Sequence, residues 1–204
     1  MLAYCGGEST EPQYFEIARQ DLGVASLHIR PCGDGDPLAV VKKAARFVEM
    51  DRAESRKSGS SPYDVVWVIV DVDRFNSVRE AQAEAKAAGI HLVVSNPCFE
   101  VWLLDHVRPC PDRCSDTRTC QREAIEAGLL ESTDRSRKSA EKQKNVRQEA
   151  VSGRERDAVE NAARHNTPEK RAARTNSPGS CSKYSVWTDM EDVMRRLLEE
   201  SGKR

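Results

Sequence analysis

Three short apolar runs in the first half of the chain have the length of β-strands. They cover residues 2–5, 65–70 and 91–94, and residues 24–30 form a weaker fourth run. Their apolar residues are continuous rather than alternating, which is typical of strands that are covered on both faces. Helical spacing of apolar residues between the runs, as from Leu38 to Val48, predicts a parallel sheet with helices as its crossover connections.

The pattern changes after about residue 107. Residues 110–120 are rich in Pro, Asp, Arg and Cys and predict a loop, whereas the Ala and charge content of residues 132–174 predicts two helices that break near Gly153. An apolar stripe over residues 186–200 predicts a final helix that docks on the core. We therefore expect an α/β domain over residues 1–107, and a Cys-containing loop and basic helical elaboration over residues 108–204.

Composition limits the ways in which this chain can bind nucleic acid. Its 204 residues include 32 Lys and Arg against 33 Asp and Glu, so any attraction to phosphate has to be local. Residues 132–174 supply a local excess, with twelve basic against seven acidic residues. Lys138, Lys142 and Lys144 are the candidate phosphate contacts there. The alternative is a solvated helix face, because acidic residues interleave with the basic ones.

Acidic residues follow the predicted strands where a parallel α/β sheet forms its sites. Glu8 and Glu11 follow the first strand and its two glycines, and Asp71 and Asp73 follow the strand at 65–70. Clustered carboxylates are the ligands that Mg²⁺ or Mn²⁺ prefers, and such a site would activate water for phosphodiester hydrolysis. The alternative is that the acids only cap the helices that follow them.

A further polar pair follows the strand at 91–94. Asn96 precedes Pro97 and is a candidate helix cap and substrate contact, and Glu100 falls in the first turn of the predicted helix. That position favours an acid through the helix dipole alone, so a capping role and a role toward metal or substrate both stay open for Glu100.

Seven cysteines in a chain without a signal peptide favour metal binding or burial over disulfides, and predict a cytoplasmic protein without a membrane span. His106, Cys110, Cys114 and Cys120 are the candidate ligands of a structural Zn²⁺. Unligated cysteines in a loop are the alternative, with His106 lining the site cleft instead. The remaining cysteines are interpreted as isolated thiols: Cys5, Cys32, Cys98 and Cys181.

Three blocks of the sequence resemble the RloB-like family in order. They are CGGESTEPQYF from Cys5, VWVIVDVD from Val66 and SNPCFEVWLLDH from Ser95. The family is similar to Toprim domains, so the resemblance implies a Toprim-like parallel sheet, a glutamate at the first strand–helix turn and the D-x-D of Asp71 and Asp73. It also implies bacterial defence against phage beside an ATPase from a neighbouring gene.

The chain departs from the Toprim pattern at one position. Toprim nucleases carry a glutamate where this sequence has Gly6, so either Glu8 or Glu11 replaces it or the metal site is weakened. Glu11 is the favoured replacement, because the Thr-Glu pair is the most widely shared part of the motif. Relatives also carry a basic lead-in, which implies that the natural start lies upstream of Met1. A homo-oligomer is left open.

The leading hypothesis is a Mg²⁺- or Mn²⁺-dependent nuclease that acts on DNA or RNA. The alternative is a non-catalytic Toprim-like module that binds nucleic acid or an ATPase. Nucleotidyl transfer of the primase or topoisomerase kind is less favoured, because the residues outside the first half leave no room for a priming or strand-passage domain.

Overall fold

The apolar runs form the centre of one mixed α/β fold. In the computed structural model, which describes residues 1–72, 75–132 and 144–202, one sheet contains five strands: β1 (Leu2–Cys5), β2 (His28–Pro31), β3 (Val66–Asp71), β4 (His91–Asn96) and β7 (Trp187–Thr188). Their order is β2-β1-β3-β4-β7, with β7 antiparallel to β4 and the others parallel. The mostly parallel sheet that the sequence predicts is therefore confirmed.

Helices cover both faces of this sheet. In the described residues they are α1 (Thr10–Leu22), α2 (Pro37–Ser58), α3 (Val78–Ala88), α4 (Glu100–Asp105), α5 (Thr117–Glu126), α6 (Gln148–Val151), α7 (Glu155–His165), α8 (Pro168–Asn176) and α9 (Met190–Glu200). No helix in this described part is long and apolar enough to cross a membrane.

Successive strand residues contribute to two separate cores. Ala3 and Cys5 of β1 pack on the side of α1, α4, α7 and α9, whereas Leu2 and Tyr4 pack on the side of α2 and α3. Because side chains alternate along a strand, both faces must be apolar when both are covered. This is why the strands show continuous apolar runs.

The second half of the chain differs from the prediction in three ways. The predicted loop at 110–120 ends in α5, whose N-cap Asp116 accepts a hydrogen bond from the Thr119 amide at 2.9 Å. Residues 132–174 contribute a strand and three helices rather than two helices alone. The last helix begins at Met190 because Trp187 and Thr188 instead pair with β4 as an edge strand.

Strands β5 (Leu130–Ser132) and β6 (Lys144–Val146) form a two-stranded antiparallel ribbon. The ribbon packs against α1, and hydrogen bonds of Gln13 attach it to that helix. The Gln13 side chain donates to Ser9 Oγ at 2.9 Å and to Asn145 Oδ1 at 3.2 Å, and it accepts from the Val146 amide at 2.9 Å. The ribbon is thus attached to the end of α1 that follows β1.

Candidate active site and cysteine cluster

The carboxyl ends of β1, β3 and β4 lie side by side at one edge of the sheet, which we call the acidic edge. Cys5 is paired with Ile69, and Asp71 with Ser95. The Gly6 amide continues the pairing with β3 by donating to the Ile69 carbonyl at 2.9 Å. Residues that follow these strands are therefore brought together, as the sequence analysis expects of a parallel sheet.

Glu11 is held at this edge by the glycine turn. It lies in the first turn of α1 with only 7% of its surface exposed, and its Oε1 accepts a hydrogen bond from the Gly7 amide at 3.2 Å. The carboxylate occupies the place where a Cβ on residue 7 would sit. Gly7 is therefore the residue that permits this position of Glu11, a role that sequence reasoning missed.

The charge of Glu11 also affects the thiol of Cys5, which shows where its carboxylate lies. The pKa of the Cys5 thiol is raised by burial and, secondarily, by the negative charge of Glu11. Since Cys5 is the last residue of β1, the Glu11 carboxylate lies close to the end of that strand.

Glu8 points elsewhere. Its side chain is exposed and lies over Gly33, in the loop that follows β2, where a Cβ on residue 33 would meet it. Of the two glutamates that the sequence offers in place of the Toprim glutamate, Glu11 is thus the buried one at the end of β1. The backbone around Gly6 is also crowded, because a Cβ there would lie 3.1 Å from the Ile69 carbonyl oxygen and 3.3 Å from that of Asp34.

Asp71 and Glu100 both act electrostatically on one thiol, that of Cys98. Burial raises the pKa of Cys98 well above its usual value, and the negative charges of Glu100 and Asp71 raise it further. Glu100 begins α4 and is 3% exposed, and Asp71 ends β3 and is half-buried. Two acids from separate segments therefore share one neighbour at the acidic edge.

Four further residues of the predicted site are not located at the acidic edge by these contacts. Asp73, Lys138 and Lys142 lie outside the described residues. Lys144 belongs to β6, where its backbone is paired with that of Ser132.

Asn96 has a structural partner rather than the cap position. Its side-chain amide donates to the Cys181 carbonyl at 2.8 Å and to the Tyr184 carbonyl at 3.4 Å, which tethers a short 3₁₀ helix over Cys181–Tyr184 to the end of β4. Helix α4 begins later, at Glu100, with Phe99 as its N-cap. The expectation that Asn96 caps this helix is wrong.

His106 is buried in an aromatic cluster, away from the cysteines with which the sequence grouped it. Its Nδ1 donates to the Trp102 carbonyl at 3.0 Å, so Nε2 accepts from the Tyr14 hydroxyl at 3.2 Å. Burial lowers the pKa of His106 to about 4, and the ring is therefore neutral at neutral pH. Both ring nitrogens are used within the core.

Cys110, Cys114 and Cys120 do converge. Their sulfurs all lie within 4.8 Å of one another, and this is the one group of three potential metal ligands so close together in residues 1–72, 75–132 and 144–202. The Cys98 thiol lies outside this group of three but interacts with the thiol of Cys120. Sequence reasoning missed Cys98, since eleven residues, including α4, lie between it and Cys110.

A cavity of about 720 Å³ lies away from all of these residues. It is lined by Trp67 and His91 near the starts of β3 and β4, together with arginines of α8 and α9. Its most buried arginine, Arg174, is paired with Asp189 at 2.8 Å. The cavity therefore contributes nothing to the acidic edge.

Comparison with known proteins supplies the family. The family model described as RloB-like protein matches residues 1–197, nearly the whole chain. The chain belongs to the RloB-like family. The match extends well beyond the three motifs, so α5, the ribbon and the helices that follow it are part of what the family model describes. No curated protein and no solved structure gave a match.

Proposed function

We propose that this RloB-like protein is a metal-dependent nuclease that hydrolyses phosphodiester bonds of DNA or RNA. The observation that carries the proposal is the acidic edge. Glu11, Asp71 and Glu100 follow three different strands of the parallel sheet, and all three lie at its carboxyl edge. Carboxylates gathered from separate segments repel one another, and a divalent cation is the usual means by which such a group is stabilised.

The residues present fit Mg²⁺ or Mn²⁺, because they are oxygen donors at the end of a sheet. A cation bound there would polarise the scissile phosphate and lower the pKa of a bound water. Glu11 is positioned for this role by the Gly7 amide, and Glu100 by its place in the first turn of α4. Asp73 is proposed as a further ligand on the strength of the D-x-D motif.

The ribbon supports an assignment of the substrate to nucleic acid. Residues 133–143 connect its two strands and include four basic residues, Arg135, Arg137, Lys138 and Lys142. Gln13, two residues beyond Glu11, binds the ribbon at Asn145 and Val146, so the described strands that flank this basic sequence are attached to α1. Lys138, Lys142 and Lys144 are proposed to contact the phosphate backbone, which would give salt-dependent binding without base specificity.

The biological setting that we propose is the one that the resemblance to the RloB-like family implies. It is defence against phage, with an ATPase from a neighbouring gene as the proposed partner. A Toprim-like topology for the sheet is part of the same proposal.

The test compares two carboxylates of the same turn with Asp71. Purified protein is incubated with single-stranded DNA, duplex DNA and tRNA in Mn²⁺, with and without EDTA. We expect cleavage that EDTA abolishes, and a loss of about 100-fold or more in Asp71→Asn and Glu11→Gln. Glu8→Gln, whose carboxylate faces Gly33, should keep nearly full activity. Equal cleavage by Asp71→Asn and the natural protein would exclude the mechanism.

A second function, that of a non-catalytic binding module, is favoured by one observation. Within the described residues, no three carboxylates approach one another as closely as the three cysteines do. In addition, Gly6 stands where Toprim nucleases carry a glutamate. Titration calorimetry separates the two functions: a binding module would bind nucleic acid equally well with and without Mn²⁺, and would show no heat of Mn²⁺ binding that Asp71→Asn removes.

A further inference from the structure

A second set of potential metal ligands, made of cysteine thiols instead of carboxylates, begins two residues before Glu100. We propose that Cys98, Cys110, Cys114 and Cys120 together bind one structural Zn²⁺. The sequence supplies them from three places: Cys98 precedes α4, Cys110 and Cys114 lie in the segment between α4 and α5, and Cys120 lies in the first turns of α5. This inference does not depend on the nuclease activity.

The first argument is the distance between the sulfurs. Tetrahedral zinc with Zn–S bonds of about 2.3 Å requires sulfurs about 3.8 Å apart. The sulfurs of Cys110, Cys114 and Cys120 all lie within 4.8 Å of one another, so small side-chain rotations would close this set around an ion. All three residues are buried, with at most 3% of their surface exposed. Burial of one cysteine needs no explanation, but convergence of three does.

The second argument identifies the fourth ligand. Cys98 is 1% exposed, and its thiol interacts with that of Cys120, although it lies outside the group of three sulfurs within 4.8 Å of one another and would have to move toward them to bind the same ion. His106, which the sequence suggests for this place, would have to give up its hydrogen bonds to Tyr14 and Trp102. Cys98 is therefore proposed as the fourth ligand in place of His106.

The third argument is the charge around the cluster. Four thiolates and one Zn²⁺ carry a net charge of two minus, which a buried site must offset. Arg113 precedes Cys114 and brings a guanidinium to the edge of the cluster, where it donates to Glu123 at 2.9 and 2.7 Å. Soft sulfur donors select zinc over Mg²⁺ or Mn²⁺, so the two sites would not compete for the same ion.

The consequence concerns the acidic edge. Cys98 is two residues from Glu100, and the negative charges of both Glu100 and Asp71 act on its thiol. An ion that joins Cys98 to α5 would fix the turn between β4 and α4, and with it the start of the helix that carries Glu100. With four protein ligands the site has no open position, so its role is structural rather than catalytic.

The experiment measures the metal itself. Protein purified without chelator from zinc-supplemented medium is analysed by elemental mass spectrometry, and we expect one zinc per chain. Exchange of zinc for Co²⁺ should give the charge-transfer and visible absorption of four thiolates around a tetrahedral ion. A natural protein that holds neither zinc nor Co²⁺, or that holds iron with inorganic sulfide or a disulfide within the cluster, would overturn the proposal.

Three variants identify the fourth ligand. Cys98→Ser should lower the zinc affinity at least about tenfold. It should also lower the intensity of the Co²⁺ charge-transfer band by about a quarter, because one of four thiolates is lost. His106→Gln should leave both unchanged, and Cys5→Ser controls for the loss of a buried thiol outside the cluster. The reverse result, with zinc lost from His106→Gln and retained by Cys98→Ser, would exclude Cys98. If a variant does not fold, the Co²⁺ spectrum of the natural protein still counts the thiolates.

Discussion

The acidic edge and the cysteine cluster are assembled in different ways, although they meet at Cys98. The carboxylates come from the ends of three strands, and their positions depend on the register of the whole sheet. The four cysteines come from a span of 23 residues, Cys98 to Cys120, and depend on the path of one short segment. The acidic edge therefore depends on the global fold, whereas the proposed zinc site depends on local structure.

This difference predicts which substitutions should affect one of the two sites and leave the other unchanged. A change in the glycine turn after β1 should affect the acidic edge and leave the cysteines intact. A change beside Cys114 should do the opposite. Helix α4 lies between them and carries Glu100, so a change at Glu100 should affect the acidic edge and leave the cysteines intact.

The largest effect is expected from Gly7→Ala. The backbone of Gly7 does not have the positive φ that would by itself exclude alanine, so the obstacle is the Glu11 carboxylate, which occupies the Cβ position. The added methyl group would push this carboxylate away from the end of β1. If the protein is a nuclease, we expect activity to fall about 100-fold, as for other displacements of a catalytic group by an ångström or so.

A double variant sharpens this prediction. Because Gly7→Ala acts through Glu11, combining it with Glu11→Gln should cost little more than either change alone. The zinc content of Gly7→Ala should remain that of the natural protein. Fully additive losses, or loss of zinc, would mean that the substitution disturbs the fold rather than the position of one carboxylate.

The next effect concerns the pH dependence of stability. The pKa of His106 is about 4 in the folded protein because the ring is buried, against an ordinary value near 6.5 in the unfolded chain. Between these values the unfolded state binds more protons, so this residue makes the protein less stable as the pH falls. Between pH 7 and pH 5 the contribution is about 2 kcal/mol.

His106→Gln isolates that contribution. The glutamine amide can donate to the Trp102 carbonyl and accept from the Tyr14 hydroxyl without titrating. The free energy of unfolding, measured in urea at pH 7 and pH 5, should fall less for the variant than for the natural protein, by about 2 kcal/mol. Any pH dependence of metal binding is common to both proteins and cancels. Parallel pH profiles for the two proteins would contradict the assignment of a neutral, buried His106.

The neighbouring residue acts in the opposite direction. Burial raises the pKa of Asp105 to about 6, although its hydrogen bonds with His165 oppose this. Here the folded state binds more protons between about pH 4 and pH 6, so protonation of Asp105 stabilises the fold as the pH falls. The natural protein should therefore lose less stability on acidification than His106 alone would produce.

The smallest effect is expected at the cluster's surface. Arg113 and Arg108 both bind Glu123, with nitrogen–oxygen distances of 2.7 Å, but only Arg113 is adjacent in sequence to Cys114. Arg113→Gln should lower the zinc affinity a few-fold, measured by competition with a chromogenic chelator, and Arg108→Gln should lower it less. Equal effects would remove Arg113 from the charge balance of the cluster.

The sequence predicts the sheet well because strand burial leaves a local signal. Continuous apolar runs identify β1, β3 and β4, and Glu11 falls in the first helical turn where the Thr-Glu-Pro sequence places it. The edge strand at Trp187 and Thr188 has only two residues, too few for any period, and its pairing with β4 is determined by tertiary packing.

The candidate sites show the same limit. Glu8 and Glu11 are indistinguishable by type and spacing, and only the turn at Gly7 decides which of them is buried at the end of β1. Cys98 lies before α4 and interacts with Cys120 after it, because α4 has only six residues. His106, which directly follows α4, is bound to the Tyr14 hydroxyl instead of joining the three cysteines. None of these facts depends on residue spacing alone.

The attachment of the ribbon to Gln13 has a consequence for how this protein can vary. Ser132 and Lys144 are paired across the ribbon, so the sequence between them can change in length or charge without altering the two ends that the core holds. Under the proposed function, selection for a different nucleic acid would act on residues 133–143 as a cassette. A chimaera carrying the equivalent stretch of a relative is then expected to take on the donor's preference while keeping this scaffold.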